Sequence, residues 1–484
     1  MATPGHRERA APPRRRGTEL VLVLLALAVF ALGLAMAGLQ IDGRVPRELP
    51  LYVGVVAAGA LTLHTALRAV APWADPLVLP LATALNGLGL TVIWGLHRAD
   101  DPGAAEADRQ LVWTAIGAAA CLTVLLAVRR PARLQRYPYL TAAAGLVLIL
   151  LPVLPVIGVE VFGARRWIAV GGYTVQPSEF AGILLIVFLA AYLGAKRDVL
   201  ALAARQIRVR GVKVFTLPRM RHFGPVVAAW GFAILLLVGT RDLGTSLVLF
   251  SVFLAMLYTA TARKSWVGIG LAMFFAGASA AYLMFWHVRQ RVAIWIDPFA
   301  PEVYSAGGGG YQVGQGLFAL ADGGLFGTGF GRGRAEDVFA SDSDLVLVSI
   351  GEKLGLLGLA AVLLLLALLS GRGFAIALGA RDPFLKLMLT GFAFLMAFQV
   401  FVVLGGVTAL IPLTGLTTPF LAAGGSSLIA NWIGLGLWLR VSDTVRRPAP
   451  AAGPGEDPTE AMRLEGPGRR PRGVSPSTRA TPRR

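Results

Sequence analysis

Three short segments of this chain gather arginines, carboxylates and amides amid long apolar stretches. The first runs from Gly163 through Arg165, Arg166 and Trp167 to Gln176-Pro-Ser178-Glu179-Phe180. Two guanidiniums beside an indole offer planar, bidentate donors to a phosphate or diphosphate group. Gln176-Pro-Ser178-Glu179 also suits a helix start, because proline is favoured in the first turn and a carboxylate there complements the helix dipole. Glu179 therefore has two readings, helix start and site residue, and both stay open. The second segment, Gly239-Thr-Arg241-Asp242-Leu-Gly-Thr245, is a tight turn whose Asp242 is expected to cap the next helix. Contact of Arg241 or Asp242 with a substrate is the alternative. The third segment, 287–344, opens with Arg289, Arg291 and Trp295-Ile-Asp297-Pro, passes Glu302, and reaches Tyr311-Gln312-Val-Gly-Gln315. Its carboxylates are candidate general bases, and a long loop of this kind is usually functional. The glycines of Gly327-Thr-Gly-Phe-Gly331 follow no strand, so they do not read as a nucleotide loop.

The elements that must position these residues are membrane spans. Of 484 residues, 56% are hydrophobic and 15% charged, against about 25% charged in a soluble chain. Apolar runs such as Leu20–Leu39 and Leu51–Leu67 approach the roughly 20 residues that cross a hydrocarbon core. The expected fold is an all-α, polytopic transmembrane bundle of about twelve spans: 20–39, 51–70, 77–96, 110–128, 138–159, 178–194, 223–239, 243–261, 266–286, 345–369, 384–404 and 418–439. Basic residues fall in alternate loops: Arg129, Arg130, Arg133 and Arg136; Lys196 to Arg221; Arg263 and Lys264; Arg372 and Arg381. That side is expected to be cytoplasmic, which puts both termini inside and the long 287–344 loop, between spans 9 and 10, outside. Three regions follow: a basic cytoplasmic tail over 1–18, a transmembrane domain over 19–442, and a basic tail over 443–484 whose Pro, Gly, Ala and Arg content predicts disorder.

The net charge of +18 reflects those tails and loops, so nucleic acid is not an expected partner. Cys121, the one cysteine, excludes an intramolecular disulfide. The five histidines have no metal-ligand spacing, so no zinc site is legible. The first apolar run is too long for a signal-peptide core and lacks a clear cleavage site after it.

Over roughly 140–442 the chain resembles the SEDS family (shape, elongation, division and sporulation proteins: RodA, FtsW and SpoVE), and is most like RodA-type members from actinobacteria. The likeness rests on ordered motifs: Arg-Trp-Ile then Gln-Pro-Ser-Glu-Phe180, Asp242-Leu-Gly-Thr, Asp297-Pro leading to Gly-Tyr311-Gln, and Gly323-Gly-Leu-Phe-Gly-Thr-Gly. Asp344, Ile350-Gly-Glu352-Lys-Leu-Gly, Ile411-Pro-Leu-Thr-Gly-Leu-Thr-Thr-Pro-Phe420 and Gly424-Gly-Ser426-Ser427 continue the series. The resemblance implies a peptidoglycan glycosyltransferase that polymerises lipid II at the outer membrane face, beside a class B penicillin-binding protein and other elongation or division proteins. It implies substrate contacts at Arg165, Arg166, Trp167, Gln176, Ser178, Glu179, Arg291, Tyr311, Gln312, Gln315, Asp344, Glu352, Ser426 and Ser427. No cofactor is identifiable; a divalent cation, Mg or Mn, is the one left open. The family's catalytic aspartate stands four residues after the Asp297 position, where this chain has Pro301. Glu302 is the expected catalytic carboxylate, with Asp297 as the alternative and absence of the base from this segment as the third reading. Two competing functions follow, a non-catalytic scaffold for the penicillin-binding protein and a lipid II flippase. The flippase would bury ionisable groups along a crossing path.

Overall fold

The computed structural model describes residues 15–100, 106–154, 157–161, 164–202, 204–209, 212–218, 231, 242–304 and 309–448. Among them nine helices are long and apolar enough to cross a membrane, and each overlaps an expected span. They are α1 (Arg15–Ile41), α2 (Leu49–Val70), α3 (Val78–Asp100), α4 (Glu106–Ala127), α6 (Pro177–Leu202), α7 (Leu243–Thr261), α8 (Lys264–Met284), α12 (Val346–Gly379) and α13 (Pro383–Val407). α12 is interrupted at Gly355, which takes φ 71. Local chemistry starts several of them. Asp242 caps α7 by accepting from Thr245 N at 3.3 Å, and Asp382 caps α13 through Phe384 N at 2.8 Å with Pro383 at the first position.

The remaining expected spans fare differently. The one at 138–159 is shorter: α5 covers Pro138–Leu150, and a 3-10 turn over Leu151–Val153, with Pro152 at its centre, follows it. The one at 418–439 starts later: α14 covers Gly425–Arg446, because 411–424 carries two prolines and the positive-φ residues Gly415 and Phe420. α14 runs past the boundary expected at 442, and Ser442 and Asp443 are buried in it. The expected span 223–239, apart from residue 231, lies outside the described residues, as does most of the C-terminal tail. The first segment of interest is not a plain loop. Strands β1 (Gly158–Val161), β2 (Ala164–Val170) and β3 (Tyr173–Val175) form an antiparallel meander. Gly171 and Gly172 turn β2 into β3 with φ 58 and 84, the two positive angles that a two-residue hairpin turn of matching twist needs. A second hairpin, β4 (Ala204–Val209) with β5 (Val212–Pro218), follows α6. Among the described residues three α-helices and a 3-10 turn (Ala335–Asp337) divide the long loop: α9 (Trp286–Ile296), α10 (Pro301–Tyr304) and α11 (Gly310–Gly323) are the helices.

Burial separates central from lipid-facing spans. The apolar windows of Val78–His97 and Pro177–Arg197 are 83% and 72% buried, whereas that of Lys264–Met284 is 6% buried. α3 lies between α1, α4 and α12; α6 touches α5, α7 and α13; α14 lies against α4. Several charges at the helix ends are paired. Asp75 accepts from Arg372 and, at 2.6 Å, from Arg446. Arg440 donates to the Val70 and Leu125 carbonyls. Glu19 is fully buried between Arg16 and His64, whose Nδ1 is 2.7 Å away. Arg16 also donates to the Ala71 and Ala74 carbonyls.

Removing Glu19 would strand a buried guanidinium. Glu19→Ala should destabilise the protein by about 3–5 kcal/mol, read as a fall in the thermal midpoint in detergent. Val21→Ala, at a side chain 65% exposed, should stay within about 0.5 kcal/mol. Equal effects would refute the role given to Glu19.

Candidate active site

Strand alternation sends neighbouring side chains to opposite faces, and β2 separates its two arginines. Arg165 is exposed and pairs with Glu160 at 3.2 Å. Arg166 turns inward, 16% exposed, with Asp242 at 3.7 Å. Its guanidinium carbon stands 4.5 Å from the Trp167 ring centre, and its Nε makes no hydrogen bond among the described residues. The pair expected to clamp an anion is therefore split, and Arg166 alone faces the cluster.

The start of α6 completes this wall. Gln176 Nε2 donates to Ser178 Oγ at 3.1 Å and to Asp242 Oδ2 at 3.4 Å. Its backbone N–H donates to Ser426 Oγ at 2.8 Å, which ties α6 to the start of α14. Glu179, half-buried in the first turn of α6, stands near enough to Asp242 to feel its charge. Asp242 thus caps α7 and is a counter-ion as well. Arg241 lies outside the described residues.

α9 supplies the second guanidinium. Arg291 donates to the Leu413 carbonyl, and Trp295, one turn on, donates to the Ala409 carbonyl at 3.0 Å. These two bonds pin one face of α9 to the loop after α13. Asp344 stands at the start of α12, close to Gly415, where a β-carbon would come to 3.2 Å from its carboxylate. Gly415 has φ 72, so a side chain is disfavoured there on both counts. Burial raises Asp344 above the usual aspartate range despite the attraction of Arg166 and Arg291; Asp342 and Asp242 push the same way as burial. Burial lowers Arg291, helped by Arg166 and opposed by Asp344 and Asp242. The result is a desolvated set of two guanidiniums and two carboxylates, drawn from four stretches of chain.

The other expected site residues divide into a rim and a scaffold. Asp297 and Glu302 are exposed. Asp297 Oδ1 accepts from Phe299 N at 3.0 Å, whereas the Glu302 carboxylate makes no hydrogen bond among the described residues. Beside them lie the ring pairs Phe299–Tyr304, Phe299–Phe318 and Tyr304–Tyr311, at 6.0, 5.6 and 5.4 Å. Gln315 reaches Tyr304 Oη at 3.4 Å, and Gln312 donates to the Phe339 carbonyl at 2.9 Å. Glu352 is fully buried and accepts from the N–H groups of Arg334 and Ala335 at 2.6 and 2.9 Å. Lys353 holds Glu336 and the Arg332 carbonyl. The structure thus gives Glu352 the work of holding the loop. Ser427 Oγ accepts from Thr417 Oγ1 at 2.9 Å. One contact had no sequence signal: His97 lies 3.0 Å from Asp342, two residues before Asp344 and 245 positions from its partner. Among the described residues no group of three or more His, Cys, Asp or Glu side chains could hold a metal ion.

This architecture and its motifs have counterparts among known proteins. The profile of the FtsW/RodA/SpoVE family, described as cell cycle protein, matches residues 77–447. The peptidoglycan glycosyltransferase RodA of Mycobacterium tuberculosis is 42% identical over 442 residues, covering 90% of this chain and 92% of that one. A chain from a peptidoglycan synthase complex, solved to explain how polymerisation and crosslinking are coordinated, is 26% identical with a TM-score of 0.60, over 77% of this chain and 98% of its own. The rod shape determining protein RodA of Thermus thermophilus gives 26% identity and a TM-score of 0.54, over 76% of this chain and 96% of its own. With the profile matched across most of its length and a mycobacterial RodA at this identity, the chain belongs to the FtsW/RodA/SpoVE family.

Proposed function

We infer that this chain is a peptidoglycan glycosyltransferase of the RodA type, and that it polymerises lipid II at the outer face of a bacterial plasma membrane. The observation that carries this reading is the meeting of Arg166 and Arg291 with Asp242 and Asp344 around one point. The donor sugar leaves as a lipid diphosphate. Two partly desolvated guanidiniums suit that developing charge, and Arg166 Nε has an unused N–H. The C1–O bond to the diphosphate breaks, the acceptor hydroxyl oxygen bonds to C1, and the hydroxyl proton passes to a carboxylate. We assign that carboxylate to the Asp297–Glu302 turn. Glu302 is preferred, because Asp297 already accepts from Phe299 N. The rings of Tyr304 and Tyr311 beside the turn provide flat faces for a sugar.

Orientation follows from the loops: the basic stretches Arg129 to Arg136 and Lys196 to Arg197 fall on the side opposite Arg166. Both termini are then cytoplasmic. A class B penicillin-binding protein is the proposed partner, by likeness to the chain from a synthase complex. Pro301, at the position where the family's aspartate is expected, favours one second reading, a scaffold that holds that partner without polymerising.

The test is polymerisation of labelled lipid II by the purified protein with its penicillin-binding partner, read as glycan ladders. Arg166→Gln and Arg291→Gln should each slow polymerisation by about 10²–10³-fold, while Arg165→Gln stays near wild type. Equal losses at all three would remove the cluster from the mechanism. Glu302→Gln should abolish ladders that persist in Asp297→Asn. Ladders surviving the double substitution would take the base away from this turn. A silent wild type that still binds its partner would favour the scaffold.

A further inference from the structure

α8 packs on the bundle along a narrow strip, with only Trp266 and Gly270 of its residues buried. Between it and α7, α12 and α13 lies a side-open groove of about 640 Å³. α13 lines it with Lys386, Thr390, Phe394 and Phe398, a spacing of four that sets all of them on one helix face. That stripe is about 18 Å long at 1.5 Å per residue. Leu254 of α7 and Leu271 of α8 form part of the opposite walls. The aliphatic hydroxyls are spent on the backbone: Thr390 Oγ1 donates to the Lys386 carbonyl, and Ser251 and Thr259 donate to carbonyls one turn back on α7, which leaves the Tyr258 phenol as the one other hydroxyl in the lining. The groove is therefore apolar along its length, with one charge at one end. Lys386 is half-buried and forms no ion pair among the described residues.

We propose that this groove holds one acyl chain of an anionic phospholipid of the cytoplasmic leaflet, with its phosphate on the Lys386 ammonium. The leaflet rests on the orientation given above. A basic group set between spans at the cytoplasmic level is a recurrent lipid-headgroup site. The charge count separates this lipid from the substrate. A single ammonium matches a phosphodiester bearing one negative charge, whereas a diphosphate calls for the pair of guanidiniums at the other end of the spans. The lipid would brace α8, which carries directly into α9 and Arg291.

The experiment is native mass spectrometry of the full chain after reconstitution in phosphatidylcholine vesicles with or without phosphatidylglycerol, followed by mild delipidation. Wild type should keep one phosphatidylglycerol in preference to phosphatidylcholine. Lys386→Gln should lower that retention by about fivefold, the effect of one basic residue at an anionic surface, while Lys386→Arg keeps it. Leu254→Trp should displace the lipid by filling the groove, independently of the lysine. Equal retention of the two lipids, or retention unchanged in both Lys386→Gln and Leu254→Trp, would overturn the proposal. Preferential retention of a prenyl diphosphate would overturn it too and give the groove to the substrate chain. Labelling of Arg381→Cys by an impermeant maleimide from each side of the vesicle tests the orientation separately. A lipid retained at Lys386 with residue 381 outside would refute the leaflet and leave the site.

Discussion

Hydrocarbon offers no hydrogen bonds, and everything else in this protein follows from that constraint. Backbone groups inside it must be satisfied within helices, so the chain crosses as helices and confines its irregular backbone to their ends. Charges are held to the same rule. At one end of the spans, Asp75 gathers Arg372 and Arg446, and Glu19 joins Arg16 to His64. At the other end stand Arg166, Asp242, Arg291 and Asp344. The first group ties the N-terminal helices to the C-terminal one. The second has charge to offer to a ligand.

The two groups differ in how completely they are satisfied. Arg16 has a carboxylate and backbone carbonyls around it, which leaves nothing for a ligand to replace. Arg166 has a carboxylate at 3.7 Å and an indole face, and its Nε is unused. Burial raises Asp344 and lowers Arg291, so both pay for desolvation ahead of any ligand. Under the proposed function, an incoming diphosphate would meet donors already fixed in place, the condition under which electrostatic stabilisation is most effective.

Fixing those donors takes the whole outer layer. α9 is held to the 409–413 carbonyls by Arg291 and Trp295. The loop before Asp344 is held from α12 by Glu352 and Lys353 and from α3 by His97. It is also held from α1, where Gln40 accepts from Phe330 N at 2.7 Å. α1 and α2 lie outside the family's matched segment of 77–447, yet α1 anchors the glycine-rich run that leads to the site. In this chain α1 is part of the support for the outer loop.

The sequence by itself determined where most spans run, since apolar length and charge placement are local properties of the chain. It also marked Arg166, Asp242 and Arg291, whose residue types are costly in apolar surroundings unless paired. It misjudged element ends at Leu150 and Gly425, where prolines and positive-φ positions act over a few residues and hydropathy averages over many. It treated Arg165 and Arg166 as a pair, because adjacency in sequence does not reveal a strand; β2 sends them apart. Only the tertiary structure brought Arg291 within range of the charge on Arg166 and joined His97 to Asp342 and Gln40 to Phe330, residues more than a hundred positions apart. Such contacts arise from helix packing, which brings distant segments to one level of the membrane, and no local pattern encodes which of them meet.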